Sequence, residues 1–253
     1  MTLSEVESIN IKFENFIQTK QNEDLSDKTK RLDEILLSDN VVENFYKAFN
    51  SDNEFKKLLD QFIPEIEDCE NREQDNPWHK YNVLGHLLHS VQAMNNQTKD
   101  LDFKERRMLA YVMLFHDIGK PATHIRRMKN GKMQDSFFDH NVKSEEIAKR
   151  VLPILGFDES ERKIMQKLIF KHDIFMYIKL EETNNPHWRK LTNEIIKEEI
   201  SDLNEVGDGY KLMKYLIWVG RSDNLAQNEK MTGDSLKMLD KFEQMLSELK
   251  SIK

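Results

Sequence analysis

The chain has 253 residues, enough for one large helical domain or two small ones, with only 8 Gly and 5 Pro and 33% charged residues. That balance disfavours a turn-rich sheet fold and favours long helices with solvated faces. The net charge of -7 argues against a general nucleic-acid coat, and the single cysteine, Cys69, excludes an internal disulfide framework or a Cys-rich zinc site. No apolar stretch reaches membrane-spanning length, and the start Met-Thr-Leu-Ser-Glu-Val-Glu lacks a basic region followed by an apolar one. A soluble cytoplasmic protein is therefore expected, with no membrane partner.

Residues 1–30 are polar, with Ile9, Ile11, Phe13, Phe16 and Ile17 able to form one helical face before a linker from Thr19 to Lys30. Helical patterns follow at Arg31–Leu37, Val41–Phe49 and Glu54–Phe62, with Ser38, Asp39 and Asn40 as expected caps and Pro64 as a stop. Asn76-Pro77 marks a turn. Helices are expected at Val83–Met94, with Leu84, Leu87, Leu88 and Val91 inward, and at Lys104–Phe115, whose run Met108–Phe115 has the character of a buried helix. The segment Pro121–Asp139 reads as a loop forming a lid, with Asn130-Gly131 as a turn pair. Amphipathic helices are expected at Asn141–Leu152 and Glu159–Lys171. Residues 179–209 read as a loop carrying a helix at Leu191–Ile200. An apolar stretch, Tyr210–Val219, leads into Gly220–Gln227, and Leu236–Leu249 closes the chain.

The buried run ends in Leu114-Phe-His-Asp-Ile-Gly-Lys120. His and Asp are metal-binding side chains, Gly permits a sharp turn, and Lys brings a positive charge to the same spot. Neighbouring residues on a helix point about 100° apart, so His116 and Asp117 can share an ion only if other elements add donors. Candidates lie beside apolar helical patterns: His86 or His89 upstream, and His140, His172 and Asp223 downstream. His172 could instead be a capping or core histidine, and Asp223 a helix cap. His79, His124 and His187 stand in polar surroundings and read as surface or loop residues.

This series, with apolar helices around it and Gly-Lys following, resembles the HD-domain superfamily, named for its His-Asp pair. The resemblance implies an all-α fold, an HD-domain helical bundle with a short helical N-terminal extension, divided at 1–75 and 76–253. It also favours His86 over His89, through the spacing from Tyr81 and Val83. His86, His116, Asp117 and Asp223 would hold one divalent ion, and His140 and His172 a second, with Asp117 bridging. Fe, Mn, Co, Ni, Mg and Zn all suit such donors. Two ions about 3.5–4 Å apart can activate a water and stabilise the leaving oxygen of a phosphoester. Asp117 and Lys120 would be catalytic, with Lys120 neutralising phosphoryl charge. Lys120, Arg126, Arg127 and Arg221 would bind substrate.

Within the superfamily, Asn76-Pro-Trp-His-Lys-Tyr-Asn-Val-Leu-Gly-His86, Gly119-Lys-Pro121, Phe137-Phe-Asp-His140 and Asp223-Asn-Leu-Ala-Gln227 are similar to the HD region of bacterial CCA-adding tRNA nucleotidyltransferases and their poly(A) polymerase relatives. The nucleotidyltransferase head of those enzymes has no counterpart here, so CCA addition is not expected. The resemblance implies a metal-dependent phosphohydrolase acting on a nucleotide or an RNA-end phosphate, as a phosphatase or 2',3'-cyclic phosphodiesterase, with no DNA partner. The alternative is a non-catalytic nucleotide- or RNA-binding module.

Overall fold

The computed structural model describes residues 29–129 and 131–251. The expected helical face at Ile9–Ile17 and the linker after it lie outside the described residues. The architecture is all-α. The helices are α1 (29–36), α2 (Val41–Ser51), α3 (Asn53–Phe62), α4 (Glu65–Glu70), α5 (Val83–Gln97), α6 (Phe103–Phe115), α7 (His140–Val151), α8 (Glu159–Lys171), α9 (Asn193–Leu203), α10 (Gly209–Leu225) and α11 (Glu229–Ser251).

Helix starts follow local chemistry. Asp52, Asn82, Asp102, Asp158, Thr192 and Asp208 each cap the helix that follows by accepting a backbone N–H with the side chain. Asp158 adds a reciprocal bond from Glu161, a capping box. The start of α2 departs from the expected capping. Asn40 holds the cap position but its side chain makes no cap bond; of the first-turn amides, Val41 N–H finds a distant partner, donating to Gln92 Oε1 of α5, 2.8 Å away.

Helix α6 is the centre of the core. Every residue from Met108 to Phe115 is buried, so the last two turns of the helix are enclosed on all sides rather than amphipathic, while its first turn meets solvent. Helices α5, α7, α8 and α10 pack around it. The N-terminal helices join the same core through Leu32, Leu36, Phe45, Leu59 and Ile66, with Phe45 edge-on to Phe55 at 5.5 Å.

One expectation is corrected. Pro121–Asp139 is not an open loop. A single 3-10 turn (Pro121–Thr123) leads into an antiparallel hairpin of β1 (His124–Lys129) and β2 (Lys132–Phe137), paired from His124↔Phe137 to Lys129↔Lys132. The tight connection uses Gly131 at φ +76°, backbone that glycine adopts without strain. The hairpin is pinned to the segment before α5: Asp75 N–H donates to Asp135 Oδ2 at 2.7 Å, and Asp135 N–H returns to Asp75 O at 3.0 Å. In α10, the apolar stretch and the segment after it form one helix that runs to Leu225, so Asp223 lies in its last turn and the alternative of a helix cap falls away. In the 179–209 region, β3 (Ile178–Lys179) pairs in parallel with β4 (Arg189–Lys190) ahead of α9. Among the described residues, no helix is long and apolar enough to cross a membrane.

Candidate metal centre

The His-Asp pair sits where α6 ends. His116 keeps helical backbone angles as the C-cap, and the chain then tightens, with Ile118 N–H bonded to Phe115 O and Lys120 N–H to Asp117 O. Gly119 lets α7 approach this turn. A Cβ at Gly119 would lie 2.5 Å from His140 O and 2.6 Å from Ser144 N. The Gly119 N–H also donates to Ser144 Oγ at 2.9 Å, fastening α7 against the turn.

Four imidazoles converge there. His116 Nδ1 donates to Met113 O, His140 Nδ1 to Phe137 O and His172 Nδ1 to Ile169 O, each at 2.7 Å and each to a carbonyl three residues back. His86 Nδ1 faces Ala226 O at 3.4 Å. A carbonyl only accepts, so Nδ1 carries the proton in each case and the neutral ring presents the Nε2 lone pair inward. These lone pairs meet head to head: Nε2 of His86 and His116 are 3.2 Å apart, and so are those of His140 and His172. Two acceptors at that separation repel unless a cation, proton or metal, lies between them.

Asp117 joins the pairs. Its Oδ2 lies 3.1 Å from His86 Nε2 and 3.4 Å from His116 Nε2. Its Oδ1 lies 3.0 Å from His140 Nε2 and 3.4 Å from His172 Nε2, yet is buried without a well-directed hydrogen bond. Asp223 Oδ1 completes one side, 2.9 Å from His86 and 3.6 Å from His116. The donors form two groups, His86/His116/Asp117/Asp223 and Asp117/His140/His172, each within 4.8 Å. Nitrogen and oxygen donors without sulfur suit a divalent ion of the Fe, Mn, Co, Ni, Mg or Zn kind. The residues fit such ions: fixed tautomers, facing lone pairs and a two-sided carboxylate are what a shared ion pair requires.

Charges interlock in this cluster. Burial opposes protonation of His116, but the Asp117 and Asp223 carboxylates outweigh it and lift its pKa to about 10. His140 rises to about 10 against the same burial, through Asp173 and Asp117. Burial opposes ionisation of Asp117 too, but the Lys120 ammonium and His116 hold its carboxyl well below the usual range. Asp223 is likewise depressed by His116 and His86.

The six expected ligands therefore come together. His89 does not join them: its ring stacks on Tyr81 at 4.1 Å. Lys120 is buried, and its three protons point to Asp117 Oδ2 (2.5 Å), Gln74 Oε1 (3.1 Å) and His79 Nε2 (3.1 Å). It braces Asp117 rather than reaching into open space. The structure does not bring the three arginines to the cluster. Arg126 pairs with Asp75 and Asp135 at the hairpin's anchor, Arg127 bonds Ser136 Oγ and lies over Phe138, and Arg221 joins Asp240 and Glu243 of α11. Each is drawn off by a nearer carboxylate, hydroxyl or ring.

Several neighbours were not foreseen. His79 is no surface residue: it packs edge-on to His86 and receives Lys120, and burial with that cation lowers its pKa to about 2. His124 is bonded to Asp135 at 2.8 Å. Asp173 lies 3.1 Å from His140 Nε2 and 3.4 Å from His172 Nε2. His172-Asp173 repeats the dipeptide His116-Asp117, which was the available signal. Gln227 Nε2 donates to both Asp223 oxygens at 3.1 Å. The cluster opens into a cavity of about 380 Å³ that reaches the hairpin (Lys129, Gln134, Asp135) and two tryptophans, Trp78 and Trp188.

Comparison with protein families matches the HD-domain model to residues 83–214, just over half of the chain. The matched span contains His86, His116, Asp117, His140 and His172, and Asp223 follows shortly after it.

Proposed function

The chain belongs to the HD-domain family, within a superfamily of metal-dependent phosphohydrolases, and we propose that it hydrolyses a phosphoester of a nucleotide or of an RNA end, as a phosphatase or 2',3'-cyclic phosphodiesterase. The observation that carries this reading is Asp117, whose two oxygens face two separate histidine pairs. A single-ion binding module needs only one such face.

His86, His116, Asp117 and Asp223 would hold one ion, and Asp117, His140 and His172 the other. When bound, such ions would supply the Lewis acidity that makes a water nucleophilic and stabilises a leaving oxygen. The chain's own residues set the conditions for that chemistry. Backbone carbonyls at Met113, Phe137 and Ile169 hold the Nδ1 protons, so every Nε2 stays a donor to the centre. Lys120 keeps Asp117 ionised and fixes its orientation, so its part in catalysis is through Asp117. Asp173 supports His140 and His172 from the cleft side.

The test is phosphate release from nucleoside monophosphates, 2',3'-cyclic nucleotides, a dinucleoside polyphosphate and an aryl phosphate, with Mn, Co, Ni, Mg or Fe added. One of these is expected to turn over, and Asp117→Ala to abolish turnover in a folded chain. Retained turnover in that variant sinks the assignment. Binding without turnover of any of them would favour the non-catalytic module instead.

A further inference from the structure

Trp78 and Trp188 line the same cavity as His172, Asp173 and Asp223, and they are 41% and 43% exposed. The third tryptophan, Trp218, stacks on Tyr215 at 5.6 Å and lines no part of this cavity. Exposed indoles at the mouth of a polar, histidine-rich cleft are placed for a flat aromatic ligand group.

Both are held in register with the metal donors. The Trp78 carbonyl accepts Asn228 N–H at 2.8 Å, and Asn228 Nδ2 donates to Pro77 O at 3.0 Å. Asn228 follows the α10 turn that carries Asp223. Trp188 N–H donates to Asn185 O at 3.1 Å, and the next residues, Arg189 and Lys190, pair with Ile178 and Lys179 just past His172. The backbone that carries each indole is therefore tied to one half of the centre, so ligand binding has no chain segment left to order there.

Charge agrees. Lys129 and Lys179 also line the cavity, and neither has a carboxylate within ion-pair distance among the described residues; Lys179 Nζ lies 4.7 Å from the Trp188 ring centre. Lys120, Lys167, Lys171 and Lys211 are all paired with acids. Asp135, Asp173 and Asp223 line the cavity too, but Asp135 is engaged by His124 and Arg126, Asp173 by His140 and Asp223 by His86, so the two lysines are the lining's charges left without an ionic partner among the described residues and form a local attraction for phosphate. The volume of about 380 Å³ falls within the range of small-molecule sites.

We propose that this cleft selects a nucleoside phosphoester: its base stacks on Trp78 and Trp188, Lys129 and Lys179 draw in the phosphate, and the scissile group lies over the His/Asp cluster. This rests on the hydrolase reading above and names its substrate class: the base is required, and a bare sugar phosphate is a poor ligand. A free nucleotide and a nucleic-acid end share this chemistry.

The experiment is tryptophan fluorescence of the metal-loaded full chain titrated with AMP, 2',3'-cyclic AMP, a single-stranded tetranucleotide and ribose 5-phosphate, with kcat/KM measured for the same ligands. Saturable quenching by the base-carrying ligands is expected, and not by ribose 5-phosphate. Trp188→Ala and Trp78→Ala should each cut the preference for AMP over ribose 5-phosphate on the order of tenfold, mainly through KM. Trp188→Phe should keep most of it, and Trp218→Phe should leave it unchanged. Tighter competition by the tetranucleotide than by AMP upholds the proposal with a nucleic-acid end as source, and the reverse order upholds it with a free nucleotide. Equal binding of AMP and ribose 5-phosphate, or a preference that survives the double Trp78→Ala/Trp188→Ala variant, overturns it. Turnover without base preference removes this subsite and leaves the hydrolase. Base-dependent quenching without turnover of any phosphoester keeps the subsite and removes the hydrolase.

Discussion

His86, His116 and Asp223 stand on α5, at the end of α6 and in the last turn of α10, three helices that pack on one another in the core. His140 and His172 stand instead at helix ends, the first residue of α7 and the C-cap of α8, beside the hairpin. Burial does not divide them: His86, His116 and His172 are all buried, while the His140 and Asp223 side chains are 13% and 15% exposed. The difference is in what carries them: one half, the core half, rides on three mutually packed core helices, and the other, the edge half, on α7 and α8, where it depends on a close helix contact at Gly119 and on Asp139 at φ +58°, turning the chain into α7. Asp117 belongs to both. The core half should tolerate changes at the cleft, and the edge half should be separable from the fold.

Asp117→Asn should produce the largest effect, because it removes the charge shared by both halves. Metal content is expected to fall to none and turnover to vanish. The metal-free variant should also lose about 3–5 kcal/mol, since Lys120 is left as a buried charge without its carboxylate. Denaturant unfolding and elemental analysis of the same sample check both.

Gly119→Ala separates the halves sterically. The new Cβ meets backbone of α7, not a flexible side-chain end, so α7 must shift and carry His140 with it. A displacement of about 1 Å would cost about 10²-fold in turnover, with ion loss confined to the edge half. Equal loss from both halves would contradict the division.

Asp173→Asn is milder. Affinity for one ion should fall about 10–100-fold while the other is retained, read by metal titration.

Protons and ions compete for the same nitrogens. His116 and His140 are raised from 6.5 to about 10, so their contribution to the metal-free fold is complete below pH 6.5 and is lost as pH rises toward 10. Asp117 and Asp223 are depressed from 3.8, so their contribution is present above that pH and lost below it. The metal-free protein should be most stable between about pH 4 and pH 6.5. Metal binding should tighten as pH rises toward about 10, each ion displacing protons from these nitrogens, with the proton release measurable by calorimetry in buffers of different ionisation enthalpy. Arg221→Ala should do least: its ion pairs face α11, and turnover should stay at the parent level.

The core half was legible because a continuous apolar run, Met108–Phe115, ends in the His-Asp pair, which marks a buried helix carrying metal-binding side chains into the core. His86 lay within an apolar helix beside His89, and it was the resemblance, not the helical pattern, that chose between them. The hairpin was not legible, although Asn130-Gly131 between two six-residue runs is a hairpin signal. Its strands are charged and solvent-facing, without the β-branched alternation that marks a half-buried strand, and what holds it is the distant Asp75–Asp135 contact. The arginines were misplaced for a related reason. Charge near a motif suggests a role at the site, but Asp75, Asp240 and Glu243 capture them through contacts that no spacing encodes. His79 looked exposed because its sequence neighbours are polar, yet tertiary packing sets it against His86 and Lys120.

Whether the two donor groups that share Asp117 hold two ions is tested most directly by metal content per chain. Elemental analysis of the protein loaded with Mn or Co should give two ions per chain, and His140→Ala should give one while its unfolding temperature stays near that of the parent. One ion in the parent, unchanged in His140→Ala, would contradict a two-ion centre and leave His140 and His172 as substrate contacts.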